Sequence, residues 1–192
     1  MSLHISSSEA LDQPILPYSR SYWAQPGKLL AGFYPGNRNS VIADQKLRGL
    51  LNCRISCAIN LMEANETNHM GTPFVPYEHR ITAMGITHGL TISIRRFPIM
   101  DRSVPTIAYM REILDYIDTA IEAGEIVYLH CWGGIGRTGT VIGCHLVRHR
   151  IASPENVMQV MTKLTEHDRK SFRHTPETEE QRCFVTKWRS GQ

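Results

Sequence analysis

A chain of 192 residues is long enough to bury a core without disulfides or a structural metal, and one domain is the expected count. With 42% apolar and 20% charged residues the composition is that of a globular protein, which excludes a disordered or fibrous chain. The formal charge of +3 is scattered rather than gathered into a basic run, and no apolar stretch reaches about 18 residues, so neither a nucleic-acid partner nor a membrane partner is expected.

The first residues, MSLHISSSEALDQP, carry no basic start followed by an apolar stretch, so no export is expected and the cytoplasm is the expected compartment. Residues 1–27, with Pro14, Pro17, Pro26 and Gly27 among polar positions, read as an arm laid over the domain and pinned by Tyr22 and Trp23. The domain proper is expected over 28–192. LLAG at 29–32 reads as a short strand stopped by YPGN, and Val41 to Cys53 has apolar residues at helical spacing. CAINLM at 57–62 suits a central strand, and a polar loop follows it through Pro76. Alternation over Leu90, Ile92 and Ile94 predicts a half-buried strand within 88–99 and leaves Asp101 in the loop just beyond. Pro105 opens a helix through Ala123, with Gly124 as its stop, and EIVYLH is a buried strand. After a glycine-rich segment come a helix to about Arg150, another from Pro154 and a last one from Pro176 to Trp188. Strands interleaved with helices imply an α/β domain with an at least partly parallel central sheet, its ligands lying beyond the strands' carboxyl ends.

Five cysteines make an odd count with no disulfide-scaffold spacing and read as reduced thiols. Cys53 and Cys57 form a C-x3-C pair with nothing to complete a zinc set, and the nine histidines are read as dispersed, so no metal site is expected.

The chemistry is concentrated in VYLHCWGGIGRTG, residues 127–139. Gly133, Gly134 and Gly136 let the backbone curl so that the N–H groups of 132–136, from Trp132 through Ile135 to Gly136, converge on one anion, aided by the following helix N-terminus. Such a cradle stabilises a thiolate at Cys131. Arg137 can return over the loop and grip two phosphoryl oxygens with its planar fork. Thr138 can donate its hydroxyl to the sulfur, and His130 can brace the loop through backbone carbonyls.

HCWGGIGRTG, with five residues between Cys131 and Arg137, resembles the active-site loop of the protein tyrosine phosphatase superfamily, and the short chain resembles its compact dual-specificity branch. FPIMDRSVP at 97–105 resembles the general-acid loop, TPETEEQRCFVTKW at 175–188 the final helix, and WAQPGKLLAGFYPG at 23–36 the opening strand. The resemblance implies a phosphatase domain with a four- to five-stranded mixed sheet flanked by helices, the active-site loop joining a strand to a helix. It implies a phosphorylated protein or small phosphomonoester as substrate, with phosphotyrosine first and phosphoserine and phosphothreonine open. Cys131 is then the nucleophile, Asp101 the general acid and base, Arg137 the phosphate grip, and Gln181 a residue that places water; no cofactor is required. Glu63, Glu66 and Asp168 are rival acids. Other readings stay open: a phosphoinositide, inositol phosphate or nucleotide phosphatase, a silent phosphate-binding module, or a thiol-based redox or arsenate enzyme using Cys144 as resolving thiol.

Overall fold

Near-continuous apolar runs, bounded by turns, become the interior strands of one sheet. The computed structural model describes residues 15–167 and 174–192; residues 1–14 of the expected arm, and Asp168, lie outside the described residues. Strands β1 (Ser21–Gln25), β2 (Leu29–Phe33), β3 (Cys57–Asn60), β4 (Ser93–Arg96) and β5 (Val127–Cys131) form a mixed sheet in the order β1-β2-β5-β3-β4. Only β1 and β2 pair antiparallel; β5 lies parallel between β2 and β3, with Phe33 opposite Cys131 and Asn60 opposite His130. Every residue of β3 and β5 is buried, as a parallel strand covered on both faces requires.

Three expectations need correction. Residues 21–25 are an edge strand in the sheet rather than part of an arm over it: Pro26 and Gly27 make a tight turn, closed by Lys28 N–H donating to the Gln25 carbonyl at 3.0 Å, and Tyr22 and Trp23 are core residues of that strand. The strand expected within 88–99 shrinks to Ser93–Arg96, because Leu90 and Ile92 lie in the link between a helix and the strand, where Ile92 packs on Gly85. That helix, α2 (Glu78–Thr87), is absent from the sequence reading. It buries only Ile81 and Gly85 and has no side-chain cap, so neither of the usual helix signals marks it.

The remaining helices flank the sheet near the predicted places. Helix α1 (Ser40–Asn52) is capped by Asn39, which accepts from the Val41 and Ile42 N–H groups. Helix α3 (Ile107–Glu122) is capped by Thr106 and buries Met110, Ile113, Leu114 and Ile117. Helix α4 (Gly136–Arg148) is buried from Gly136 through Val147, enclosed by the sheet and by α3, α5 (Val157–Thr165) and α6 (Glu179–Thr186). No helix among the described residues is long and apolar enough to cross a membrane.

Because β3, β4 and β5 run parallel in register, their carboxyl ends leave the sheet on one edge. Leu61 N–H donates to the His130 carbonyl and Ile99 N–H to the Leu61 carbonyl, so the segments beyond Asn60, Arg96 and Cys131 continue side by side. Three loops distant in sequence therefore meet at one place.

Candidate active site

Cys131 is the last residue of β5, 2% exposed, at the base of the loop that leads into α4. The loop's backbone is held from outside: the Trp132 carbonyl accepts from Tyr34 N–H at 3.1 Å, and the Gly133 carbonyl from Arg20 Nη2 at 2.8 Å. Gly134 has a φ of +73°, and a Cβ there would come within 2.7 Å of the Gly32 backbone, so only glycine lets the loop lie against β2. Its N–H points inward and donates to Cys131 Sγ at 3.3 Å. Ile135 stands at the start of α4 and accepts from Gly139 N–H, while Gly136 packs beneath the Gln181 amide.

Arg137, the first side chain of α4, is 2% exposed and makes most of its contacts to anions. Glu66 accepts from it twice, from Nη1 at 2.6 Å and Nη2 at 2.8 Å, while Nη1 also donates to the Ile99 carbonyl at 3.1 Å and Asp101 stands 2.9 Å from Nη2. Burial disfavours the guanidinium charge, but Glu66, Cys131 and Asp101 outweigh it and raise its pKa above the ordinary arginine value. The sequence offers Glu66 only as a rival acid. It is a largely enclosed partner, its side chain 9% exposed, that fixes the arginine fork.

Asp101 is half exposed at the mouth of the cleft, and Arg102 after it sits in the left-handed region with φ +62°. The loop is tied down through Ser103, whose carbonyl accepts from Gln181 Nε2 at 3.1 Å. Gln181 is fully buried, and its other amide atom accepts from Thr178 N–H while Thr178 accepts from Gln181 N–H, a capping box for α6. With both ends of its amide bound to backbone groups, Gln181 fastens α6 to the Asp101 loop rather than presenting itself to water.

His130 lies under the loop. Its Nδ1 contacts the Cys131 carbonyl at 3.2 Å, its Nε2 the Tyr77 hydroxyl at 2.7 Å, and its ring stacks on Tyr128. Burial pushes its pKa down to about 3, against a smaller opposing pull from the Cys131 carbonyl, so the ring is a neutral brace. The Thr138 hydroxyl is buried with no hydrogen-bond partner; no bond to the sulfur forms in this geometry. Cys144 is fully buried, which raises its thiol pKa well above the ordinary value and makes it a poor thiolate donor.

These groups open into a cleft of about 640 Å³ whose wall includes Phe33, Tyr34, Phe74 and Trp132 and whose rim carries Arg38 and Arg102. The Trp132 ring packs against His69 at 4.4 Å and Phe74 at 5.4 Å between centroids. Lys46 braces the wall by donating to the Tyr34 and Gly36 carbonyls, both at 2.9 Å, and burial lowers its pKa to about 8.

Several known proteins are similar to this chain. The chain is 28% identical over 109 residues to dual specificity protein phosphatase CDC14B of Mus musculus, a match taking in 50% of this chain but only 22% of that protein's length. Among solved structures, TpbA of P. aeruginosa in complex with pTyr aligns with a TM-score of 0.63 at 13% identity, covering 95% of this chain and 93% of that one. PTPMT1 in complex with PI(5)P aligns with a TM-score of 0.62 at 18% identity, covering 86% and 92%. At these identities the two structures attest the fold alone. The model of the polymorphic toxin system DSP-PTPase phosphatase family matches residues 34–151, more than half the chain and the span that holds Glu66, Asp101, Cys131 and Arg137; this protein belongs to that family.

Proposed function

We propose that the protein hydrolyses phosphomonoesters through a cysteinyl-phosphate intermediate. The observation that carries the reading is the convergence of Arg137 and Asp101 at the mouth of a cleft floored by Cys131, whose sulfur accepts from the Gly134 N–H. In the first step the Cys131 thiolate attacks phosphorus, the bond to the leaving oxygen breaks, and the Asp101 carboxyl gives that oxygen its proton. In the second, water attacks phosphorus and gives a proton to the Asp101 carboxylate, the sulfur–phosphorus bond breaks, and thiolate and inorganic phosphate are released. The N–H groups of residues 132–136 and the guanidinium of Arg137 stabilise the equatorial oxygens in both. Asp101 leans on Arg137 when no phosphoryl group is bound and yields that contact as the oxygens arrive. The unpartnered Thr138 hydroxyl has its use in the second step, as a donor to the departing sulfur.

For the substrate, the aromatic wall of Phe74, Trp132 and Tyr34 favours an aryl phosphate, so phosphotyrosine in proteins is the first reading, with phosphoserine and phosphothreonine open. The rim arginines Arg38 and Arg102 support a second reading, a multiply phosphorylated small molecule such as a phosphoinositide. Hydrolysis of an aryl phosphate in chelator tests the chemistry. Cys131→Ser is expected to abolish turnover and Asp101→Asn to lower kcat by about 10²–10⁴-fold, most for poor leaving groups. An undiminished Cys131→Ser variant would sink the mechanism. A phosphotyrosine peptide and a phosphoinositide, compared by kcat/KM, separate the two substrate readings.

A further inference from the structure

At the end of α4 away from the phosphate loop, three possible metal ligands converge among the described residues: Asp118 on α3, His145 in the last turn of α4 and His149 at its C-cap. The two histidines are one helical turn apart and share a face, their ring centroids 4.4 Å from each other. His149 Nε2 lies 2.8 Å and His145 Nδ1 3.8 Å from the same oxygen, Asp118 Oδ1, and all three ligand atoms fall within 4.8 Å of one another.

His145 is what makes this more than a surface ion pair. Its side chain is 1% exposed, yet neither ring nitrogen has a hydrogen-bond partner. Buried polar atoms are nearly always satisfied, so an imidazole left unpaired beside a carboxylate and a second imidazole points to a missing ligand. Burial, helped by the neighbouring His149 and Arg148, pushes its pKa down to about 3, which leaves a neutral ring with a free lone pair.

The surroundings fit a cation. Arg148 Nε holds the other Asp118 oxygen, Oδ2, at 3.1 Å, which leaves Oδ1 turned to the histidines, and Asp115 pairs with the same arginine and offsets its charge. The site lies in the last turn of α4, where the helix carbonyls favour positive charge. Bonds of about 2.0–2.1 Å at tetrahedral angles put zinc ligand atoms about 3.3 Å apart. The separations of 2.8 and 3.8 Å straddle that value. His149 is 40% exposed, which provides an entry path and room for a water in the fourth position.

We propose that Asp118, His145 and His149 bind a divalent transition-metal ion, zinc by preference, that clamps α3 to α4. Two imidazoles and a carboxylate form a donor set suited to zinc. The proposal does not depend on the phosphatase reading.

The test titrates zinc chloride into the full chain carrying Cys131→Ser, which removes the active-site thiol as a competing ligand. Calorimetry is expected to find one zinc per chain, and Tm to rise by roughly 5–10 °C at zinc about a hundredfold above Kd. His149→Ala and Asp118→Asn, each checked for folding by circular dichroism, are expected to weaken binding at least about tenfold. Cobalt bound in place of zinc should show visible bands without thiolate charge transfer. Absence of uptake overturns the proposal, and so does uptake whose affinity His149→Ala leaves unchanged, because the ion then sits elsewhere. If Asp118→Asn fails to fold, the exposed His149→Ala variant decides alone.

Discussion

A guanidinium that is 2% exposed demands anions, and Arg137 meets that demand mainly through Glu66, 71 positions away in sequence. Removing one partner of a buried ion pair leaves the other charge uncompensated, at a cost on the order of 3 kcal/mol. Glu66→Ala is therefore expected to lower unfolding stability by about that amount in urea titrations. It should also reduce kcat/KM by about tenfold to a hundredfold, because the loosened fork no longer meets the phosphoryl oxygens squarely. Unchanged stability would mean that Asp101 and the Ile99 carbonyl satisfy the arginine unaided. The span from Cys131 to Arg137 is legible in the sequence because its parts are adjacent and each constrains the next. Glu66 is not, since nothing local separates it from Glu63; only the parallel register of β3 and β5 brings it under the arginine. Gln181 is legible in another way: Thr178-x-x-Gln181 is a capping-box spacing, and the structure forms that box. The i,i+4 spacing of His145 and His149 is likewise visible, but only the fold adds Asp118 from α3.

Among the elements, α4 carries the greatest demand, because it must present Arg137 at its start while buried on nearly every side. Gly143 shows how closely its neighbours approach: a Cβ there would lie 2.6 Å from Val185 Cγ1 on α6 and 3.0 Å from Met161 Sδ on α5. Alanine gains about 1 kcal/mol over glycine in a helix interior, but overpacking costs about 1–3 kcal/mol, and β-branched Val185 has few rotamers with which to retreat. Gly143→Ala is thus expected to destabilise by about 1 kcal/mol net, seen as a Tm lower by roughly 2–4 °C. A higher Tm would show that α6 shifts freely and that the glycine is not a packing requirement. Among the elements that the sequence revealed, α1 and α3 carry a side-chain cap, and β3 and β5 a continuous apolar run. Those it obscured lack both or share their residues with a turn: α2 buries two residues without a cap, and β1 hides behind Pro26 and Gly27, which punctuate a hairpin as readily as they end an arm.

At the scale of the whole molecule, two buried histidines, His130 on β5 and His145 near the end of α4, couple folding to pH. His130 beneath the loop and His145 at the far end are both held near a pKa of about 3, burial being the main cause for each. Their ordinary value is about 6.5, so between about pH 6.5 and pH 3 the unfolded chain binds protons that the folded chain refuses. The stability they allow is fully present above about pH 6.5 and is lost as pH falls, at about 1.4 kcal/mol per pH unit for each histidine. From pH 7 to pH 5 that is about 2 kcal/mol apiece, a large part of a typical total of about 5–15 kcal/mol. Urea unfolding in chelator, which keeps metal away from His145, is expected to show this fall, and His145→Leu to remove about half of it. The alternative is specific: Asp118 Oδ1, 3.8 Å from His145 Nδ1, could close on a protonated ring and retain it in the fold. In that case stability would fall less steeply than two histidines require, and His145→Leu would leave the slope unchanged. The slope of the parent and that of the variant therefore decide between a neutral, lone-pair-bearing His145 and an ion-paired one.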